Sequence, residues 1–344
     1  MSFITCPNFM ADSNIEWLDF LSSKAPFSDD ANADQGMIAA LTHLGVLAAS
    51  GPDAENFLHN QLTNDVLGLE PGALHLAGYC SAKGRLLATL IVWKSNESIM
   101  LLMPREILPG VQKRLQMFVL RSKVTLSDVS DQTVLIGAAA PDEQNIPWPD
   151  TAGRHASWTP STGLQRALWM GPAEQAIKLW DALSANLPPA DASRWRWLDI
   201  RAGVPMIVEA TREQFVPQMV NFDLVGGVNF RKGCYPGQEI VARSQYLGKL
   251  KRRMRLASAH AALVAAGMEI FSDADPGQPC GLVVNAERNP EGFWDLLVEI
   301  KLDAAETPVR LGATDAADAT NAADTADKRL LHFSELPYAL RDSE

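Results

Sequence analysis

The run Asn229-Phe230-Arg231-Lys232-Gly233-Cys234-Tyr235-Pro236-Gly237-Gln238-Glu239-Ile240-Val241-Ala242-Arg243 constrains this chain more than any other stretch. Tyr235-Pro236-Gly237-Gln238 predicts a type II β-turn, because proline presets φ at the second position and glycine takes the positive φ required at the third. Glu239 then falls in the first turn of a short helix, where a carboxylate suits the dipole, on the same face as Arg243. Cys234 is thereby held by a rigid turn just ahead of a helix N-terminus, beside Arg231 and Lys232. Such a setting lowers a thiol pKa and favours thiolate. The alternative, a small buried hydrophobe, stays open on the residues alone.

With 344 residues, the chain predicts two or three domains with large cores. Its 47% hydrophobic and 21% charged residues are ordinary for a soluble protein. A net charge of −11 argues against a general nucleic-acid coat. The sign is uneven, since Arg231, Lys232, Arg243, Lys249, Lys251, Arg252, Arg253 and Arg255 form a basic strip against Glu239 alone. Cys6, Cys80, Cys234 and Cys280 form no Cys-x-x-Cys pair, so neither a zinc site nor a disulfide framework is expected. The histidines at 43, 59, 75, 155, 260 and 332 show no metal-type spacing. No signal peptide and no membrane-spanning apolar run is visible, and a reducing cytoplasmic setting is expected.

Along the chain, residues 1–34 read as a flexible N-terminal segment, with a short helix at Ile15–Leu21 as its one apolar cluster. A first strand is predicted over Met37–Ala49. Ser50-Gly51-Pro52-Asp53 reads as a capped helix opening, with Phe57, Leu58, Gln61 and Leu62 on one face. Asn64 and Asp65 read as the polar turn that ends it. Leu74–Cys80, Leu86–Trp93 and Ile99–Met103 predict a β-meander. Leu108, Val111, Leu115, Phe118 and Val119 mark a helix face, followed by strands at Val124–Asp128 and Val134–Ala139. Residues 140–162 read as a loop or boundary. A strand at Leu164–Met170 and helices at Glu174–Leu187 and Ala192–Ala202 complete an α+β layer. Trp195 and Trp197 on the last helix are either packing residues or a stacking wall for a ring. From Leu250, short strands at Leu250–Ala257, Met268–Phe271, Gly281–Asn285, Phe293–Ile300, Val309–Leu311 and Leu330–His332 predict a small barrel. Ala304–Asp327 is a low-complexity loop within it.

Lys-Gly-Cys-Tyr-x-Gly-Gln-Glu followed by Ala-Arg resembles the signature of the folate-binding YgfZ family, related to the aminomethyltransferase (T-protein) of the glycine cleavage system. Further matches follow in order: Gly51-Pro52-Asp53-Ala54 with Phe57-Leu58, Gln61-Leu62-Thr63-Asn64-Asp65, Ala82-Lys83-Gly84-Arg85, Ala202-Gly203-Val204-Pro205, and Phe215-x-Pro217-Gln218-x-x-Asn221. The resemblance spans roughly residues 35–255 and extends to the rest of the chain. It implies a three-domain ring, with an aminomethyltransferase-like module of two interleaved α+β subdomains over 35–245 and a C-terminal β-barrel over 246–344.

The resemblance also implies a tetrahydrofolate site and a change of chemistry. Ala88 and Thr89 stand where the related transferases carry an aspartate pair. Arg201 stands where they carry a pterin-binding glutamate, and Asp199 is the nearest replacement acid. Alanine and threonine cannot steer a proton at a folate nitrogen as a carboxylate can. The implied role is a tetrahydrofolate-binding factor, not a classical enzyme. It would assemble or maintain iron–sulfur clusters in client enzymes, tRNA-modifying ones included, with Cys234 as functional thiol. The alternative is a folate-dependent one-carbon transferase or demethylase. Expected folate contacts are Tyr79, Trp195, Trp197, Arg201, Lys232, Tyr235, Gln238, Glu239 and Arg243. Iron–sulfur client or carrier proteins are the expected transient partners, with no resident metal and no direct nucleic-acid binding.

Overall fold

The computed structural model describes residues 13–27, 36–95, 97–141, 146–149, 155–157, 164–246, 250–312 and 329–340. Three sheets organise them. The first comprises β2 (Leu44–Ser50), β3 (Leu74–Cys80), β4 (Leu86–Lys94), β5 (Ser98–Pro104) and β6 (Thr125–Asp128), in the order β3-β4-β5-β2-β6 and antiparallel throughout. Helices α2 (Ala54–His59) and α3 (Leu108–Val119) pack on it. In α3, Leu108, Val111, Leu115 and Val119 are buried at helical spacing, while Phe118 turns out to solvent.

The second sheet brackets the first in sequence. Its order is β10-β1-β7-β9-β8, from β1 (Met37–Ala40), β7 (Val134–Pro141), β8 (His155–Ser157), β9 (Leu164–Gly171) and β10 (Pro189–Ala190). The predicted strand over Met37–Ala49 is therefore two strands in two sheets. Thr42 and His43 make the turn between them, closed by Leu44 N donating to Leu41 O at 3.1 Å. Apolar residues on both sides of Thr42-His43 hide such a break, because both strands are buried. Helix α4 (Ala173–Ser184) covers this sheet, and α1 (Ser13–Lys24) docks on α4 with Trp17 edge-on to Trp180 at 5.6 Å. Ser13–Lys24 is thus a built part of the fold. Strand β8 falls within the span read as loop.

The third sheet is β15-β12-β13-β14-β11-β16, from β11 (Arg252–Ala259), β12 (Glu269–Ser272), β13 (Asp275–Arg288), β14 (Trp294–Lys301), β15 (Val309–Leu311) and β16 (His332–Ser334). It curls until its two edges share one segment. Leu331 N donates to Val309 O and Leu311 N to Arg329 O, while β16 pairs with β11. Of the loop read over Ala304–Asp327, the first part is ordered into a 3-10 turn at Ala304–Glu306 and strand β15, and residues 313–327 lie outside the described residues.

Helix α5 (Ala192–Arg201) lies between the second and third sheets, its first turn capped by the Asp191 carboxylate accepting from Ser193 N at 2.8 Å. Around it one core draws on all three sheets, joining Trp93, Leu135, Trp195, Phe222, Leu256 and Leu297. Each such side chain, out of water, contributes roughly 1.5–3 kcal/mol.

Candidate functional site

The Cys234 loop is clamped from three directions. Gln238 N donates to Tyr235 O at 3.1 Å and Gly237 has φ +81°, the predicted type II turn. A Cβ on Gly237 would stand 2.4 Å from Ser81 O, and one on Gly84 would stand 2.9 Å from Ile240 Cβ. The two glycines thus let the 81–84 turn and the Tyr235–Gly237 turn touch backbone to backbone. On the second side, Gln218 Nε2 donates to Val241 O at 2.8 Å and holds α6 (Gln238–Tyr246). On the third, Lys232 Nζ donates to His59 O and, at 2.7 Å, to Leu62 O, while Asn229 N donates to Thr63 O at 2.9 Å. Lys232 therefore caps carbonyls left without partners at the end of α2, at the negative pole of its dipole. Segments far apart in sequence converge here, and Cys234 is exposed at the meeting point.

Burial pushes the Lys232 ammonium down to about 8, against the pull of Asp65 and Cys234. Its charge also lies 5.1 Å from the Tyr235 ring centroid. Tyr235 is buried, and desolvation raises its hydroxyl pKa beside Cys80. Cys80 is sealed in the core, its thiol pushed up to about 12 by burial. Gln238 Nε2 reaches Gly233 O only at 3.5 Å. Glu239 and Arg243 are exposed on α6, with no ion pair between them among the described residues.

Two residues at the loop escaped sequence reasoning. His59 lies under it, with Nδ1 3.1 Å from Asp65 Oδ1. Asp65 is itself held by Gly68 N at 3.1 Å. Asp65 read only as a polar helix end, and a His–Asp pair at this spacing has no motif to betray it.

The other expected folate residues lie elsewhere. Tyr79 has no exposed surface, and burial pushes its hydroxyl up to about 12 in the core beneath α2 and α3. Trp195 is 1% exposed, with the Arg166 guanidinium 4.0 Å from its ring centroid and Gly137 against its other atoms. Trp197 is buried and donates Nε1–H to Asp295 Oδ2 at 2.8 Å. Both tryptophans are placed as packing residues. Arg201 is exposed at the end of α5. Three cations of the basic strip are engaged: Lys232 on its carbonyls, Arg252 with Glu299, and buried Arg253 with Asp223 at 2.8 Å.

Asp199 and Thr89 meet in a second hollow. They line a cavity of about 20 Å³ with Leu76, Leu102, Pro205 and Met206. Asp199 Oδ1 accepts from Arg166 Nη2 at 2.7 Å, and Oδ2 has no hydrogen-bond partner among the described residues. Burial pushes the Asp199 carboxyl up from the usual range against the pull of Arg166. Thr89 Oγ1 accepts from Ile207 N at 3.0 Å. Among the described residues no cluster of three or more His, Cys, Asp and Glu side chains is arranged for a metal, and no helix is long and apolar enough to cross a membrane.

No protein-family model matches the chain. It is 15% identical, with a TM-score of 0.65, to the glycine cleavage system aminomethyltransferase T from Bartonella henselae, over 90% of this chain and 88% of that one. That likeness establishes an aminomethyltransferase-like fold. The tRNA-modifying protein YgfZ of Photorhabdus laumondii is 31% identical over 298 residues, covering 80% of this chain and 88% of that protein. The protein of the same description from Klebsiella pneumoniae is 30% identical over 308 residues, 86% of this chain and 90% of its own length. At that identity over nearly the whole of both sequences, the chain belongs to the YgfZ family.

Proposed function

We propose that this protein is a tetrahydrofolate-binding factor for tRNA modification, which assembles or maintains iron–sulfur clusters in client enzymes through the Cys234 thiol. The observation that carries this reading is the triple clamp on an exposed cysteine, a degree of fixing that an incidental surface thiol does not need. One thiolate cannot hold a stable cluster, which normally takes four ligands, so its contact with iron or sulfur is transient or shared with a partner.

The residues at the second hollow fit a pterin by their chemistry. A buried carboxylate oxygen without a partner suits the donor edge of a pterin, and Asp199 Oδ2 is such an atom. A cavity of about 20 Å³ holds a single water, so its walls must part for a ring to enter. Bound there, folate would supply a carrier for a one-carbon unit. Asp199 would hold the ring, Arg166 would orient that carboxyl through its other oxygen, and Thr89 offers no acid for transfer chemistry.

The test has two arms. Purified protein is expected to bind tetrahydrofolate without turning over an aminomethyl donor, and Asp199→Ala to weaken binding at least about tenfold, some 1.4 kcal/mol. Cells carrying Cys234→Ala are expected to lose activity of iron–sulfur tRNA-modifying enzymes while the variant protein stays folded. Normal client activity in that strain overturns the thiol's role.

A further inference from the structure

The turn that follows α3 breaks two local rules at one residue. Leu120 has φ +45° and ψ −104°, and Ser122 N donates to Val119 O at 2.8 Å. These dihedral angles belong to the first central position of a type II′ turn, where glycine is preferred because a Cβ is strained there. The leucine is also 87% exposed. Met117 and Phe118, in the last turn of α3, are exposed at 58% and 41%. Backbone strain and bare apolar surface each lower the stability of the free protein. A position that carries both is the kind retained for function.

The charge along this stretch is of one sign. No acid occurs between Glu106 and Asp128, while Lys113, Arg114, Arg121 and Lys123 all fall there. Lys113, Arg121 and Lys123 are exposed, and no ion pair engages them among the described residues. On a chain of net charge −11, this is a cationic zone around an apolar knob. Such a zone complements an acidic partner. The turn is also anchored. Asp53, at the N-cap of α2, accepts from Lys123 N at 2.7 Å. At the other end of α2, Lys232 holds the His59 and Leu62 carbonyls. The turn and the Cys234 loop are thus attached to opposite ends of one six-residue helix, about 9 Å long.

We propose that Leu120, with Met117 and Phe118, is a knob that seats in an apolar, acid-rimmed pocket of the iron–sulfur client or carrier protein and brings that protein to Cys234. A folded pocket gains from a knob fixed in advance. A fluid bilayer takes apolar side chains in any arrangement, so a strained turn adds nothing there. RNA bases stack on flat faces, and Phe118, the one ring of the knob, has the Arg114 guanidinium over it at 5.9 Å from the centroid. The inference rests on the proposed iron–sulfur role and names the surface and chemistry through which the partner docks.

The experiment places a photo-crosslinker in the full chain, Met117→p-benzoylphenylalanine, and identifies its adducts in cells by mass spectrometry. The captured protein is then purified and titrated with the unaltered chain, Leu120→Gly and Arg121→Glu. An iron–sulfur protein is expected, bound about tenfold more weakly by each variant. Its affinity for the unaltered chain should also fall as salt is raised. Glycine relieves the turn, so Leu120→Gly is expected to raise the urea midpoint, which separates lost docking from lost folding. Adducts to RNA or lipid alone, no specific adduct, or equal affinity for Leu120→Gly overturns the proposal. Normal iron–sulfur client activity in Leu120→Gly cells, with activity lost in Cys234→Ala, overturns this inference alone. Leu120-dependent binding of an iron–sulfur protein, with normal clients in Cys234→Ala, overturns only the role of the thiol.

Discussion

Gly237 carries two demands at once: φ of +81° and backbone contact with Ser81 O, where a Cβ would stand at 2.4 Å. Gly237→Ala is expected to destabilise the protein by about 2 kcal/mol or more, read as a lower urea midpoint. A substitution that leaves the midpoint within error would mean the two turns can separate freely. This turn was legible in the sequence because proline and glycine announce their own dihedral angles. The role of Lys232 was not. It reads as a cation for a thiolate or a folate tail, yet its partners are carbonyls about 170 residues away in the chain. The indoles of Trp195 and Trp197 were equally undecided, since nothing local tells a stacking wall from a packed ring.

At the scale of elements, strand and helix spans followed their apolar periods closely, from the β3–β5 meander through to β14. What the periods concealed was membership. Met37–Ala40 and Leu44–Ser50 are apolar stretches parted by three residues only, but they belong to different sheets. His43 sits in the turn between them with both ring nitrogens buried and without partners among the described residues. Burial, aided by Arg196, lowers its pKa from 6.5 to about 3, and burial takes His75 to about 4. The unfolded chain therefore takes these protons first as pH falls. The stability they allow is full above the ordinary value of 6.5 and is lost on descending toward pH 3. His43→Gln should remove part of that slope. Between pH 7.5 and pH 4.5 its unfolding free energy is expected to fall by about 2–3 kcal/mol less than that of the unaltered protein. Parallel slopes in urea titrations would exclude His43 as a source of acid sensitivity. Asp53 gives a smaller lesson. It reads as an acid in the first turn after a cap at Ser50, yet it stands at the N-cap position itself, and its carboxylate accepts from Lys123 N at 2.7 Å and ties α2 to the approach of β6.

Across the whole molecule, long-range contacts assemble the site, and motif order alone pointed to that. The C-terminal stretch reaches back to the module: Tyr338 O–H donates to Gly203 O at 2.7 Å, and Asn221 Nδ2 donates to Tyr338 at 3.4 Å. Gly203 leaves the space for that ring, since a Cβ there would come within 2.7 Å of it. Tyr338→Phe is expected to cost about 1 kcal/mol in urea unfolding, in proportion to one hydrogen bond. No change at all would show that this contact is replaced by water. The curled third sheet was legible from its regular short strands. The sharing of residues 329–334 by both its edges was not, because the intervening residues carry no strand pattern.

The interruption of one sheet by another also sets an order of birth. Residues 44–128 supply every strand of the first sheet, so it can close while the ribosome is still at work. Strand β1 is made earlier than any of them yet finds no neighbour until β7 and β10 emerge. During synthesis its four apolar residues, Met37–Ala40, are left waiting in the open, the stretch a nascent-chain chaperone would be expected to shield.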